Sequence, residues 1–492
     1  GELFGEYYIG QPENTTELRN SYHILRFDFS GIRTDDSAVI FDNFSAEVKG
    51  SAELFLRENN LLDEEHLKDV MNSGDAVTIF RTMLYKIKAF HPELKIYLLI
   101  DEYDHFTNEI FSFSREKFAE MVSGNGWVRK FYEVAKQFIG LGVIDRFFAT
   151  GVTPVTLDSM TSGFNVAQNI SLFPEFNNLA GFTEKELSQL ITDTSESVNT
   201  GNVAEYMNDI RLWYNGSRFS SVPADKLYNP QMVITFLSKL YREGKSPEEM
   251  TDVNVLSDYK KISAVLNLLP PDVADEIINT VTLNDSITER LTVQFNFELP
   301  YGKTEAVSLL YYNGLLSIDS VRFGIKTIYW EYFRYLFEKR NNLRFDTGKT
   351  DQAIFQLSSE SSIDKLTGYV AEVMRGLSNR DLQNFSEKSL KMIFMTILTG
   401  TNAYYVQSEA ETKSGYADLI IRRTGINPGR HDFLIELKYV KKGDQKNLEA
   451  IKESGLNQLS GYFSSMPEHE RANYRAFLVI FTDKSGFEIT QL

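Results

Sequence analysis

The sequence predicts an α/β protein in three parts: an open parallel sheet near the N-terminus, a mainly helical middle, and a C-terminal unit of order α-β-β-β-α-β. Three observations predict it. Between about Tyr22 and Leu190, short apolar runs alternate with longer amphipathic stretches, the pattern of parallel βα units. From roughly Val203 to Asn379, helix-like periodicity dominates, broken by Asn, Asp and Ser. The remaining chain places one helical stretch before three strand-like runs and a second before a last strand. Domain boundaries are therefore expected at 1–200, 201–379 and 380–492.

Each element follows from local pattern. His23–Phe29, Lys95–Ile100 and Arg146–Thr150 are apolar runs of strand length, and Asp75–Phe90 and Trp127–Ile139 are amphipathic stretches between them. Thr183-Glu184-Lys185-Glu186 has capping-box spacing and opens a helix. Pro270-Pro271 is a firm breaker, because neither residue can donate a backbone hydrogen bond. In the last region, a helix near Ser386–Leu398 precedes strands at Ala403–Ser408, Tyr416–Arg422 and Asp432–Val440. A helix near Asn447–Tyr462 and a strand at Tyr474–Phe481 complete it.

Composition narrows the chemistry. The 492 residues are 42% hydrophobic and 24% charged, which is ordinary for a globular chain. With no cysteine, disulfides, thiol nucleophiles and Cys-based zinc sites are excluded, and a reducing compartment fits. The six histidines (His23, His66, His91, His105, His431, His469) are scattered without zinc-ligand spacing, so any metal is expected to be a hard cation on carboxylates, such as Mg²⁺. The first residues lack the basic and apolar regions of a signal peptide. No apolar run approaches the roughly 18 residues of a membrane span, and a cytoplasmic protein without a membrane partner is expected. A formal charge of −17 argues against a nucleic-acid partner in general, yet Asp381–Leu492 holds 14 Lys/Arg against 14 Asp/Glu. The C-terminal region is thus neutral, compatible with phosphate contacts but not with the basic footprint of a tight non-specific binder.

That region carries the sharpest constellation. Residues i and i+2 of a strand share a face, so Glu436 and Lys438 stand side by side in Ile435-Glu436-Leu437-Lys438. Their apolar neighbours make the strand central, and a buried carboxylate beside an ammonium needs partners or a metal. The preceding strand supplies Asp418, in Gly415-Tyr416-Ala417-Asp418-Leu419. Two carboxylates on adjacent strands can share Mg²⁺ or Mn²⁺, while Lys438 can position water and stabilise charge on a phosphate.

The spacing Asp418…Glu436-x-Lys438, set in this element order, resembles the PD-(D/E)XK phosphodiesterase superfamily. The resemblance implies a restriction-endonuclease-like domain acting on nucleic acid, with DNA the expected partner. It also implies an assisting acid on the first helix, matched by Glu387, and a Gln and an aromatic on the next, matched by Gln458 and Tyr462 at i and i+4. Ala417 stands where the pattern has proline.

In the N-terminal region, Ile96-Tyr97-Leu98-Leu99-Ile100-Asp101-Glu102 is an apolar strand ending in Asp-Glu, a Walker B arrangement in which the first acid can hold a nucleotide's Mg²⁺ and the second polarise water. Thr150, ending a later strand, is placed to sense a γ-phosphate. Asp101-Glu102-Tyr103-Asp104, Thr150-Gly151-Val152, Leu179-Ala180-Gly181-Phe182-Thr183, Trp213-Tyr214-Asn215-Gly216 and Leu227-Tyr228-Asn229-Pro230 follow one another in an order that resembles AAA-ATPase-like proteins fused to a C-terminal PD-(D/E)XK domain. This implies a P-loop-NTPase-like sheet and a nucleotide-regulated nuclease.

A P-loop needs Gly-x-x-x-x-Gly-Lys-Ser/Thr after a strand, so that backbone N–H groups cradle phosphate. Gly348-Lys349-Thr350 has Leu343 at the upstream glycine position and follows the helix-like Trp330–Arg340, and Gly302-Lys303-Thr304 follows Leu299-Pro300-Tyr301, so both are expected to be loop decoys. The resemblance places the P-loop upstream of the stretch matched by Gly1–Ile9. ATP binding is therefore expected only with a P-loop upstream of this chain. Two other classes remain: a non-catalytic interaction protein keeping both folds as platforms, and a signalling ATPase with a relic nuclease fold. Oligomeric state is not legible.

Overall fold

A computed structural model describes residues 4–34, 37–159, 164–214, 216–220, 224–247, 250, 263–284, 286–293, 295, 301–319, 322–325, 335–336, 338–339, 345–377, 385–399, 403–412, 415–424, 427, 429–482 and 486–492. The chain forms two compact units, one of Gly1–Asn169 with Thr292–Tyr301 and one of Ile170–Leu291 with Gly302–Leu492.

The first unit is built on three parallel strands in the order β1 (His23–Asp28), β2 (Ile96–Asp101) and β3 (Ile144–Ala149). Alternation decides their faces. Leu25, Phe27, Ile96, Leu98, Ile100 and Ile144 are buried, whereas Ile24, Arg26 and Phe148 are exposed. The buried face meets the helices Ser37–Glu58, Ala76–Phe90 and Trp127–Gly140 around a cluster of Phe27, Phe29, Phe44, Phe80, Phe106 and Phe131, with ring centroids 4.9 to 6.0 Å apart. The helix Ala76–Phe90 starts where expected because the Asp75 carboxylate accepts the Thr78 N–H at 2.8 Å. Parallel pairing with Asp28 opposite Asp101 brings the polar strand ends to one edge of the sheet.

The second unit begins with helices and two small antiparallel sheets, β4 (Phe182–Thr183) with β5 (Leu227–Tyr228), and β6 (Ser286–Thr288), β8 (Arg322–Ile325) and β7 (Leu316–Asp319) in that order. β5 to β8 stand in the region whose sequence reads as mainly helical; like β4 before them they are two to four residues long, too short for alternation to register. The capping box at Thr183 forms as expected, with Thr183 N–H donating to Glu186 at 2.9 Å. Pro271 becomes the first residue of the helix Pro271–Asn284, where its missing N–H costs nothing. The two Gly-Lys-Thr segments, expected as loops, instead open helices. Asp346 caps Thr347–Glu360 by accepting the Lys349 N–H at 3.0 Å, and the Glu305 carboxylate accepts the Gly302 N–H at 2.9 Å ahead of Lys303–Tyr312. Lys349 and Lys303 are held by Glu372 and Glu276 respectively. Neither segment is a phosphate cradle. Asn215 and most of 330–340 lie outside the described residues.

The unit ends in a five-stranded sheet of order β13-β12-β11-β10-β9, comprising β9 (Tyr404–Thr412), β10 (Gly415–Arg423), β11 (Asp432–Val440), β12 (Tyr474–Thr482) and β13 (Gly486–Gln491). β9, β10 and β11 pair antiparallel, β11 and β12 parallel, and β13 adds an antiparallel edge beyond the expected order. A parallel pair needs a crossover, which the helix Leu448–Ser465 supplies between β11 and β12. It buries Leu459 and Tyr462 against Ala417, Ile420, Leu434 and Leu478. The helix Glu387–Leu398 is buried along nearly its whole length from Leu390 onward.

Candidate active site

Strand register assembles the C-terminal site. Leu419 pairs with Ile435, so Asp418 and Glu436 are one step further along adjacent central strands. The Leu437 N–H donates to Asp418 Oδ2 at 2.9 Å, fixing that carboxylate to the neighbouring backbone. Glu436 and Lys438 share a face, as their i, i+2 spacing requires, and Lys438 Nζ donates to Glu436 Oε1 at 2.8 Å. Glu387, in the first turn of its helix, places Oε2 3.9 Å from Lys438 Nζ. The four expected residues Glu387, Asp418, Glu436 and Lys438 therefore converge. Sequence pattern does not single out a fifth residue, Lys391, a turn beyond Glu387, whose side chain is only 3% exposed and whose Nζ lies 3.6 Å from Asp418 Oδ1. The available signal is a lone lysine in the otherwise apolar run Leu390–Met395.

Burial sets the electrostatics. Glu436 is 3% exposed, and burial together with the nearby Asp418 and Glu387 charges pushes its carboxyl up to about 7 against the pull of Lys438. Glu387 is raised as well, first by burial and then by Asp418, with Lys438 opposing. Burial alone would lower Lys438, but the hydrogen bond to Glu436 and the surrounding carboxylates leave it raised, hence firmly an ammonium. One oxygen in the site is orphaned. Glu436 Oε2 is buried without a hydrogen-bond partner, a costly state for an ionised carboxylate. Oxygen donors from Asp418 and Glu436 are the chemistry a hard divalent cation takes, and such a cation would satisfy that atom. Among the described residues no group of three or more His, Asp or Glu side chains is placed to hold a metal ion. A divalent cation there would have the two carboxylates of Asp418 and Glu436, with water and phosphate completing its shell.

The next helix behaves differently. Tyr462 is a core residue, 7% exposed, and its ring lies 3.2 Å from where a Cβ on Gly415 would stand. Gly415 has φ of +132°, so only glycine suits both the backbone and the ring at the entry to β10. Gln458 is exposed beside Glu453, Ser454 and Asn457, and none of the hydrogen bonds of Asp418, Glu436 or Lys438 reaches it.

Comparison with known families agrees with this layout. Residues 385–491 match the model of the PD-(D/E)XK nuclease superfamily, and residues 1–161 match the AAA-ATPase-like model, described as a predicted AAA-ATPase. The chain is a fusion of an AAA-ATPase-like domain and a PD-(D/E)XK nuclease superfamily domain. No curated protein matches it.

In the AAA-ATPase-like domain, the strand ends gather Asp28, Asp101 and Thr150. Asp101 Oδ1 accepts the Thr150 hydroxyl at 2.5 Å, and Asp101 Oδ2 lies 3.0 Å from the Arg26 guanidinium, which also meets Asp28 at 3.2 Å. Glu102 turns out of the strand with φ of +53°, an uncommon conformation for a non-glycine residue, and its carboxylate lies 4.0 Å from the His105 ring. The two acids of the Asp-Glu pair thus have separate surroundings. The residue that builds the edge is Asp104, fully buried, whose role the sequence had not revealed. Its carboxylate accepts the Val152 and Thr153 N–H groups at 3.0 and 2.6 Å, the Thr153 hydroxyl at 3.2 Å and the Asn108 amide. Burial raises its pKa and those hydrogen bonds oppose the rise. The Tyr103 hydroxyl donates to Thr153 O alongside. A Cβ on Gly151 would stand 2.3 Å from Asp104 Oδ1, which explains the glycine in Thr150-Gly151-Val152.

Proposed function

We propose that the chain is a metal-dependent nuclease that cleaves DNA, with Asp418 and Glu436 holding Mg²⁺ or Mn²⁺ and the AAA-ATPase-like domain regulating cleavage. The observation that carries this reading is the orphaned Glu436 Oε2, buried on a central strand between Asp418 and Lys438. A divalent cation there would lower the pKa of a bound water and stabilise charge on the phosphate. The chain's own residues do the rest. The Leu437 N–H holds Asp418 in place through Oδ2. Lys438, between Glu436 and Glu387, directs an ammonium with N–H groups to spare towards the attacking water or a phosphate oxygen. Glu387 keeps Lys438 between two carboxylates, which preserves its charge in a buried setting. Gln458, being exposed, is assigned to the substrate rather than to the carboxylate pair.

In the N-terminal domain, Asp101, Glu102 and Thr150 are assigned to a nucleotide: Asp101 to its Mg²⁺, Glu102 to water and Thr150 to the γ-phosphate. ATP enters this reading only together with a phosphate-binding loop. Among the described residues no helix is long and apolar enough to cross a membrane. A cysteine-free chain acting on DNA fits the cytoplasm.

The test is cleavage of labelled single- and double-stranded DNA and RNA with Mg²⁺ or Mn²⁺, compared with Asp418→Ala. Metal-dependent cutting of DNA that vanishes in the variant is expected. Cutting of RNA alone would overturn the substrate assignment, and no cutting of any substrate would favour a binding platform.

A further inference from the structure

Five charged side chains meet at the nuclease site, Glu387, Asp418 and Glu436 against Lys391 and Lys438. Lys438 meets Glu436 and Glu387, while Asp418 accepts the Leu437 N–H on Oδ2 and faces Lys391 Nζ at 3.6 Å from Oδ1. Lys391 is not a surface ammonium that strays inward. Its side chain is 3% exposed, and Leu390, Met392, Ile393, Phe394 and Met395 around it are all buried. Burying an ammonium in such a helix is costly unless it compensates charge. Here the charge to compensate lies on the carboxylates that the proposed function gives to the metal.

We propose that Lys391 is the built-in counter-cation of the metal site, a positioning residue that holds Asp418 ready and opposes premature tight binding of a divalent cation. The inference rests on the assignment of Asp418 and Glu436 as metal ligands. In the metal-free protein, Lys391 supplies the positive charge that Asp418 needs. When a divalent cation arrives, the two positive charges repel across Asp418, so Lys391 weakens cation binding. Removing its charge while keeping its length therefore tightens metal binding and destabilises the metal-free chain.

The experiment uses the full chain and needs no turnover. Mn²⁺ binding is titrated by the paramagnetic resonance signal of the free ion, and thermal unfolding is followed in chelator and in Mn²⁺, for wild type, Lys391→Met, Lys391→Arg and Asp418→Ala. Wild type is expected to bind Mn²⁺ and Asp418→Ala to lose that binding. Lys391→Met should bind on the order of tenfold tighter, from removal of a charge a few ångströms away. It should also unfold at a lower temperature in chelator and recover in Mn²⁺, and Lys391→Arg should restore wild-type affinity. Unchanged or weaker binding by Lys391→Met, with Asp418→Ala still deficient, overturns the role of Lys391 and leaves the metal site standing. Failure of Lys391→Met to fold even in Mn²⁺ also overturns it, because metal should relieve the loss of a counter-cation. Equal binding by wild type and Asp418→Ala removes the metal site itself, and this inference with it.

Discussion

Glu436 carries a built-in cost that makes the site testable without substrate. Its carboxyl is raised from 4.5 to about 7 by burial and by Asp418, so in the metal-free state the folded chain holds a proton that the unfolded chain has released. Stability from this group is therefore lost as pH rises through the window from 4.5 to about 7. Thermal unfolding of metal-free wild type against Glu436→Gln should show a falling difference across that window, and parallel curves would contradict it. At this scale the sequence was informative where strand parity or spacing applied. Asp418, Glu436 and Lys438 could be placed because alternation puts Glu436 and Lys438 on one face of a central strand. Lys391 and Asp104 could not, because a buried charge betrays itself only through a partner distant in sequence, Asp418 for one and the Val152–Thr153 backbone for the other.

Elements owe their placement to a few close approaches. The turn after β3 is pinned to Asp104 through two backbone amides and passes so near that Gly151 admits no side chain. Gly151→Ala should destabilise the protein by about 1–3 kcal/mol, the usual cost of overpacking, read as a lower denaturant midpoint; no shift would mean the turn is looser than described. On the crossover helix, Tyr462→Ala should cost about 3–5 kcal/mol as a large-to-small core change. Gln458→Ala, one turn earlier and exposed, should stay within about 0.5 kcal/mol. Chemical denaturation of the pair separates core from surface, and a large loss in Gln458→Ala would contradict its exposure. The longer elements are legible from periodicity, as Asp75–Phe90 shows, and from the capping box at Thr183. The small sheets formed by β4 to β8 are not, since two to four residues carry no period and their pairing is decided by tertiary contacts. The Gly-Lys-Thr segments read as loops once the P-loop pattern fails, yet Asp346 at one N-cap and Glu305 at the other's third position are helix-start signals, and each segment opens a helix.

For the whole molecule, the fusion explains the uneven charge. A formal −17 resides outside the neutral C-terminal segment, so under the proposed function phosphate would be met by the cation and Lys438 rather than by an excess of basic side chains. Divalent metal should accordingly stabilise the chain by about 2.7 kcal/mol at a hundredfold excess over the dissociation constant, seen as a rise in Tm that Asp418→Ala abolishes. An equal rise in the variant would place the metal elsewhere. The central claim, that Asp418, Glu436 and Lys438 form a working catalytic site, is tested most directly by the rate of DNA cleavage at saturating Mg²⁺ in wild type and Lys438→Ala. The geometry predicts a fall of roughly a hundredfold or more with the fold intact by circular dichroism; an undiminished rate in Lys438→Ala would contradict it.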